Sequence, residues 1–253
     1  MLVLDRRVFG DAHRIVVLLG GRIGKVSAMA RHARSSKKRF AGSLELFSRI
    51  EAEFVDRGKG GLLILQEASL VDSHPGIKAN LVSIAHAGYL SELTSAVLKE
   101  GQGAGKAYEL LAGALQILDH TYMSNQQLRQ YELMLLSSVG IAPVIDQCVF
   151  CGRTMSSEWQ FDLDEGGIVC DTCPPGRFRL GISNSSLDFL RSIESGWPTQ
   201  NGNGSRKVMN ECRYVLATLI DRHVDKKLKA REFLRKLALD SAQDTKSGEN
   251  HLN

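Results

Sequence analysis

His13-Arg-Ile-Val-Val-Leu-Leu19-Gly20-Gly21-Arg22-Ile23-Gly-Lys-Val-Ser-Ala-Met-Ala30 is the stretch that decides the N-terminal fold. Two apolar, β-branched runs flank Gly20-Gly21, and glycine tolerates the left-handed backbone that a tight hairpin needs. Outward from this hairpin, Leu2 to Phe9 comes before it, and Leu44 to Phe54 and Leu62 to Val71 come after it. With His13 to Leu19 and Ile23 to Ala30 they make five candidate strands within residues 1–76. Ile50, Ala52 and Phe54 alternate with Glu51, Glu53 and Val55, roughly the period of two of a half-buried strand. A further hairpin turn is expected at Gly58-Lys-Gly-Gly61. So many short strands in so short a segment point to a small barrel, with an OB-fold as the expected form.

From Pro75 the apolar period lengthens. Leu81, Ile84, Ala85 and Gly88 follow the i, i+3, i+4, i+7 rule, continued by Leu93, Val97 and Leu98. Gly101-Gln-Gly-Ala-Gly105 breaks that helix, and two more run from about 106 to 122 and from 125 to 139, the last stopped by Gly140 and Pro143. Ser185-Ser-Leu-Asp188 offers a capping box for a short helix. Arg206 to about Leu239 reads as one helical stretch with Val208, Cys212, Val215 and Leu219 on one face.

Between the helices, Cys148-Val-Phe-Cys151-Gly and Cys170-Asp-Thr-Cys173-Pro form two Cys-x-x-Cys pairs with 18 residues between them. That spacing suits a tetrahedral zinc site; two disulfides are the alternative, favoured only in an oxidising compartment. Trp159 to Leu163 reads as a strand, Asp164 to Gly167 as a turn and Ile168-Val169 as the return strand, the pattern of a zinc ribbon. Four thiolates close the metal's coordination shell, so the ion is expected to be structural rather than catalytic. Cys212 is expected to be a buried helical thiol.

The expected class is therefore α+β: an OB-fold barrel at 1–76, a mainly helical domain at 77–143 and 181–240, a four-cysteine zinc ribbon inserted at 144–180, and a polar, disordered tail at 241–253. With 253 residues, 43% hydrophobic and 24% charged, the chain can build ordinary cores and is neither collagen-like nor wholly disordered. Apolar stretches such as Leu62 to Leu65 fall far short of the ~20 residues of a membrane span. Asp5, Arg6 and Arg7 interrupt any secretory signal, so a soluble, intracellular protein is expected.

Charge divides unevenly along the chain. The formal net charge of +4 resolves into +5 over 1–76, −1 over 77–143, −3 over 144–180 and +3 over 181–253. Arg22, Lys25, Arg31, Arg34, Lys37, Lys38 and Arg39 follow one another without a carboxylate, a surface suited to a polyanion. Arg31, Arg34, Lys37, Lys38 and Arg39 fall between the third and fourth strands, where an OB-fold often carries a nucleic-acid contact; a solvated loop is the plainer alternative. Phe40, Phe47 and Phe54 could stack bases, but their spacing suits core positions better. A second basic cluster, Lys226, Lys227, Lys229 and Arg231, is either a phosphate contact, a dock for an acidic peptide, or a solvated helix face.

No constellation supports catalysis. The glycine-rich Gly101 to Gly105 is not a phosphate loop, because Glu100 stands where that motif needs glycine and Ala107 where it needs a hydroxyl. The seven histidines show no metal-ligand spacing, and no Gly-x-Ser-x-Gly occurs. The chain is expected to be a binding protein without nucleotide cofactor, not an enzyme.

The order of these pieces resembles the bacterial RecO family of recombinational-repair mediators over about residues 1 to 235. The resemblance rests on Gly10-Asp-Ala-His-Arg14-Ile-Val, Ala28-Met-Ala-Arg31 and Ser36-Lys-Lys-Arg39-Phe40-Ala-Gly-Ser-Leu44 in the N-terminal part. It continues at Leu128-Arg-Gln-Tyr131-Glu-Leu-Met-Leu-Leu136-Ser-Ser-Val-Gly140-Ile-Ala-Pro143 and at Leu228-Lys-Ala-Arg231-Glu-Phe-Leu234. It implies binding of single- and double-stranded DNA, ATP-independent annealing of complementary strands, and recruitment by the C-terminal tail of single-strand-binding protein. It also implies cooperation with RecR in loading RecA, and a cytoplasmic, nucleoid-associated protein. On matching positions, Arg31, Arg34, Lys37, Lys38 and Arg39 would contact DNA, and Arg129 would lie near the groove for the acidic tail. Gln130 departs from the second basic residue that members often carry there. The other reading of the same modules is an RNA-binding or transcription-associated OB-fold and zinc-ribbon protein.

Overall fold

A computed structural model describes residues 1–36, 38–55, 62–174, 178–194 and 204–237. They form two compact units: Met1–Tyr122 with the described residues from Leu228 onward, and Met123–Lys227.

The first unit opens with five strands: β1 (Leu2–Phe9), β2 (His13–Gly20), β3 (Gly24–Ala30), β4 (Arg49–Val55) and β5 (Leu63–Asp72). They close into a barrel in the order β1-β2-β3-β5-β4, the OB-like arrangement expected, with β3 and β5 parallel and Leu2 of β1 pairing with Arg49 of β4. Alternation turns Val26, Ala28 and Ala30 of β3 inward to meet Val3, Val16, Leu18, Ile50, Leu65 and Ala68. Small residues suit so narrow an interior, which side chains must fill. Phe40 and Leu44, from the connection between β3 and β4, complete this core. That role explains why β4 starts at Arg49 and not at Leu44. The chain folds through turns over 40–47 to insert both side chains, and Phe47 takes a left-handed φ of 69° before the strand begins. Phe40 and Phe47 are buried and Phe54 packs against the core, so the three are core residues rather than base-stacking rings.

Three helices follow: α1 (Pro75–Ala79), α2 (Leu81–Val97) and α3 (Gly105–His120). Asn80 caps α2 by accepting from the amides of Val82 and Ser83, the arrangement that satisfies a helix's orphan N–H groups. α2 packs on β1 and α3 on β2. The glycine-rich 101–105 stretch is pinned to the barrel: the amide of Gly101 donates to the carbonyl of Lys25 at 3.0 Å and that of Ala104 to Gly21 at 3.2 Å.

The second unit contains α4 (Asn125–Ser138), a sheet of β6 (Trp159–Asp162), β7 (Gly167–Cys170) and β8 (Arg179–Ile182) in the order β7-β6-β8, then α5 (Asn184–Glu194) and α6 (Arg206–His223). α4 begins with a full capping box between Ser124 and Gln127. α4, α5 and α6 pack on one another, burying Tyr131, Leu135 and Leu136 against Leu187, Leu190 and the Val208, Cys212, Val215, Leu219 face. The start of α5 is held differently from the expected box at Ser185. One carboxylate oxygen of Glu211 accepts from the Ser183 amide and hydroxyl and from the Ser186 hydroxyl, at 2.6–3.0 Å. Burial pushes the Glu211 carboxyl up, but these donors, with Lys207, outweigh it and hold it below the usual range.

The long C-terminal helix expected from Arg206 to Leu239 is broken. α6 stops at His223, Leu228 turns inward to be buried, and a new helical segment runs over 229–237. The Glu92 carboxylate of α2 accepts from the amides of Lys229 and Ala230 at 3.0 and 2.7 Å, supplying the negative group that a helix start favours. Gly58 to Gly61 and the tail at 241–253 lie outside the described residues.

Candidate nucleic-acid interface and metal centre

The metal centre is built by two knuckles and one hairpin. The Gly152 amide donates to the Cys148 carbonyl at 2.9 Å and the Cys148 amide to the Arg153 carbonyl at 2.8 Å; Gly152 takes the φ of 70° that closes the first knuckle. The second knuckle follows β7, whose register with β6 pairs Cys170 with Trp159. The hairpin between them turns on Asp162, whose carboxylate accepts from the amides of Asp164 and Glu165. Gly167 has no room for a side chain: a Cβ there would stand 2.5 Å from Val149 Cγ1 and 2.8 Å from the Val144 carbonyl oxygen.

This frame brings the sulfurs of Cys148, Cys151, Cys170 and Cys173 within 4.8 Å of one another. Cys148 and Cys173 are 3.7 Å apart, and Cys151 and Cys173 each lie 3.6 Å from Cys170. Bonds of ~2.3 Å to a tetrahedral ion make sulfur–sulfur edges of ~3.8 Å, so the four sulfurs fit a metal ion. They do not fit disulfides, which need ~2.05 Å; all five cysteines are free thiols. The Thr172 hydroxyl, 3.2 Å from the Cys170 sulfur, draws that thiol down to about 6. Burial, with the neighbouring sulfurs, pushes Cys173 up to about 12. A divalent ion at this site would hold all four sulfurs deprotonated. Thr172 carries no signal in the sequence beyond its place inside the second pair. Cys212 is buried in α6, which raises its thiol to about 11, as expected of an inert helical cysteine.

The basic run is divided by the fold. Lys25 is half-buried, its Nζ donating to the Ser95 carbonyl at 2.6 Å. Arg31, Arg34, Lys38 and Arg39 stay together in the connection that follows β3, and Lys37 lies outside the described residues. Arg39 is half-buried: one Nη donates to the Arg31 carbonyl at 2.8 Å, and its guanidinium lies 5.0 Å above the Phe40 ring. Arg34 and Lys38 are exposed. Arg34 ties the connection to the turn between β1 and β2, its amide donating to the Ala12 carbonyl and its Nη1 to the Asp11 carbonyl. Arg6 and Arg14, by contrast, share the Glu45 carboxylate.

The second cluster is not one surface of one helix. Lys226 and Lys227 end the second unit, exposed, whereas Lys229 and Arg231 belong to the helical segment of the first. Arg129 on α4 is only 7% exposed, and its Nη1 donates to Glu132 at 2.7 Å. Glu132, itself 1% exposed, is the carboxylate partner of Arg129 inside the unit. Among the described residues, no helix is long and apolar enough to cross a membrane.

A closed five-stranded barrel carrying a cationic connection, followed in the chain by helices with an inserted four-cysteine cluster that could hold a metal ion, defines an OB-fold protein with an inserted four-cysteine ribbon. The models of recombination protein O, N terminal and C terminal, match residues 1–74 and 78–232. The chain belongs to the recombination protein O family. It is 34% identical to the DNA repair protein RecO of Anaeromyxobacter sp. (strain Fw109-5), over 92% of this chain and 93% of that protein. It is 33% identical to the protein of that name from Pelobacter propionicus, over 93% and 95%. The one from Symbiobacterium thermophilum is 32% identical over 92% and 94%.

Proposed function

We propose that the chain is a DNA repair and recombination mediator that binds single- and double-stranded DNA through phosphates and anneals complementary strands without ATP. Membership of the recombination protein O family carries this reading, supported by the cationic connection that Arg34 anchors to the barrel. Annealing needs no catalytic group: cations that neutralise two strands reduce the repulsion between them and lower the barrier to pairing. The chain is accordingly a binding protein rather than an enzyme, with no nucleotide cofactor, working at the cytoplasmic nucleoid. Its partners are the C-terminal tail of single-strand-binding protein, RecR, and through RecR the loading of RecA. Tail docking belongs to the helical part around Arg129, where the tail's carboxylates compete with Glu132. The four cysteines hold one structural Zn²⁺, which replaces the apolar core that so short a ribbon cannot build.

Phosphate contact has a measurable signature. The logarithm of the affinity for a single strand falls with the logarithm of salt at about −0.7 per phosphate contacted. Changing Lys37 and Lys38 to glutamate should weaken binding to all sequences alike and reduce that slope by about 0.7 for each phosphate no longer neutralised. A weakening confined to particular sequences would contradict phosphate contact, and preference for RNA over DNA at equal salt would favour an RNA-binding module instead.

A further inference from the structure

The β1–β2 turn carries an unexplained aromatic side chain. Phe9 ends β1 with 48% of its surface exposed, beside Val8 at 63%. The register places Phe9 opposite His13, and directly paired residues of an antiparallel ladder project from the same face. His13 in turn meets His32 edge to face, ring centroids 4.9 Å apart at 71°. The His32 amide donates to His13 Nδ1 at 3.0 Å, and His32 takes a left-handed φ of 54° to do so. The turn itself is clamped by Arg34, through the carbonyls of Asp11 and Ala12. Hence Phe9 is paired with His13 at a turn that also holds His32 and the Arg34 guanidinium, with Asp11 the acidic side chain in the turn and the exposed Lys38 four residues beyond Arg34 along the same connection.

We propose that this turn is a stacking subsite for unpaired nucleobases: Phe9 stacks a base, the His13–His32 pair walls the subsite, and Arg34 with Lys38 holds the adjoining phosphates. The inference rests on the DNA-binding reading and deepens it. A phosphate-only surface gains nothing from an exposed ring, and an apolar protein partner gains nothing from the cations. A single strand uses both, because each base offers a π-face and each linkage a charge. The site lies on the turn between the first two strands, a position from which OB-folds reach oligonucleotides. A duplex buries its base faces in its own stack, so Phe9 serves only single strands and makes the barrel discriminate between the two forms.

The test uses the full chain with fluorescently labelled oligothymidylate and a blunt duplex of equal length at fixed salt. Phe9→Ala and Phe9→Leu should each weaken single-strand binding about tenfold, the loss of one stacked base, while duplex binding and the salt slope stay unchanged. Phe9→Tyr should restore the affinity. Phe9→Trp should lose emission on adding oligothymidylate, and Phe9→Leu, which keeps the apolar bulk, separates stacking from folding. Wild-type single-strand affinity in Phe9→Leu, an equal loss on both DNA forms, or unquenched Phe9→Trp emission would overturn the subsite. If the wild-type chain bound neither DNA form, the DNA-binding reading would fail first; binding without any Phe9 effect would remove the subsite alone.

Discussion

Removing the proposed Zn²⁺, by chelation under reducing conditions or by Cys170→Ser, should unfold the ribbon and lower the melting temperature of the second unit by the largest step of any single change. Between the knuckles the ribbon buries Trp159, Phe161, Leu163, Ile168 and Val169, too few apolar side chains to order it alone. Structural zinc in small peptides contributes about 10–16 kcal/mol of apparent binding free energy near neutral pH, and that energy is folding energy. α4, α5 and α6 have their own apolar contacts, so helical signal should largely survive while the near-ultraviolet signal of Trp159 and amide protection in β6 and β7 are lost. Acid should act as chelation does: all four sulfurs bind as thiolates, so falling pH protonates the ligands and releases the ion. Metal content measured alongside thermal unfolding checks this. Unchanged melting after confirmed loss of the ion would show that the ribbon stands without it.

The second large effect lies in the barrel. Gly24→Ala should cost about 3–4 kcal/mol, a major share of the ~5–15 kcal/mol typical of a native domain. Gly24 has a φ of 72°, and a Cβ there would sit 1.7 Å from the Gln102 carbonyl oxygen, backbone that cannot swing aside. Moving it would break the bond from the Gly101 amide to Lys25 and the parallel bridge between Lys25 and Glu100. Gly101→Ala is the matched control: its φ is 73°, but nothing lies within 4 Å of the new methyl group. That variant should lose only the ~1–2 kcal/mol of a left-handed alanine. Urea midpoints of the two variants compare them directly. Equal losses would mean that the contact with residue 102 does not constrain the barrel.

Local patterns make much of this architecture legible. The barrel strands show themselves by β-branched runs with glycine turns, and the metal site by cysteine spacing, because both signals need only neighbouring residues. What stays hidden depends on distant partners. β8 is a short strand, Arg179–Ile182, defined by its pairing with β6 rather than by any alternation of its own. Leu44 resembles the start of a strand because an apolar residue near Ile50 reads the same whether it lies in the sheet or plugs the barrel. The break after His223 is invisible in an amphipathic pattern; it follows from Leu228 turning inward and from Glu92, far away in sequence, capping the new helical start. At the cationic end of the barrel, the charge run names the cations but not the contacts that sort them. Nothing local says that Lys25 turns to Ser95, nor that His13 and His32, nineteen positions apart, meet beside Phe9. The resemblance implies a partner role for Arg129, but it says nothing of Glu132, one helical turn on, which pairs with that guanidinium inside the unit.

A mediator that pairs DNA strands without chemistry of its own should speed their annealing in the absence of ATP. Two complementary oligonucleotides, each coated with the cognate single-strand-binding protein, are mixed without ATP, in parallel with a coat lacking its acidic tail. Acceleration is expected on the tailed coat and should be lost on the tailless one. No acceleration on either coat, from folded protein with its metal site filled, would contradict the annealing role.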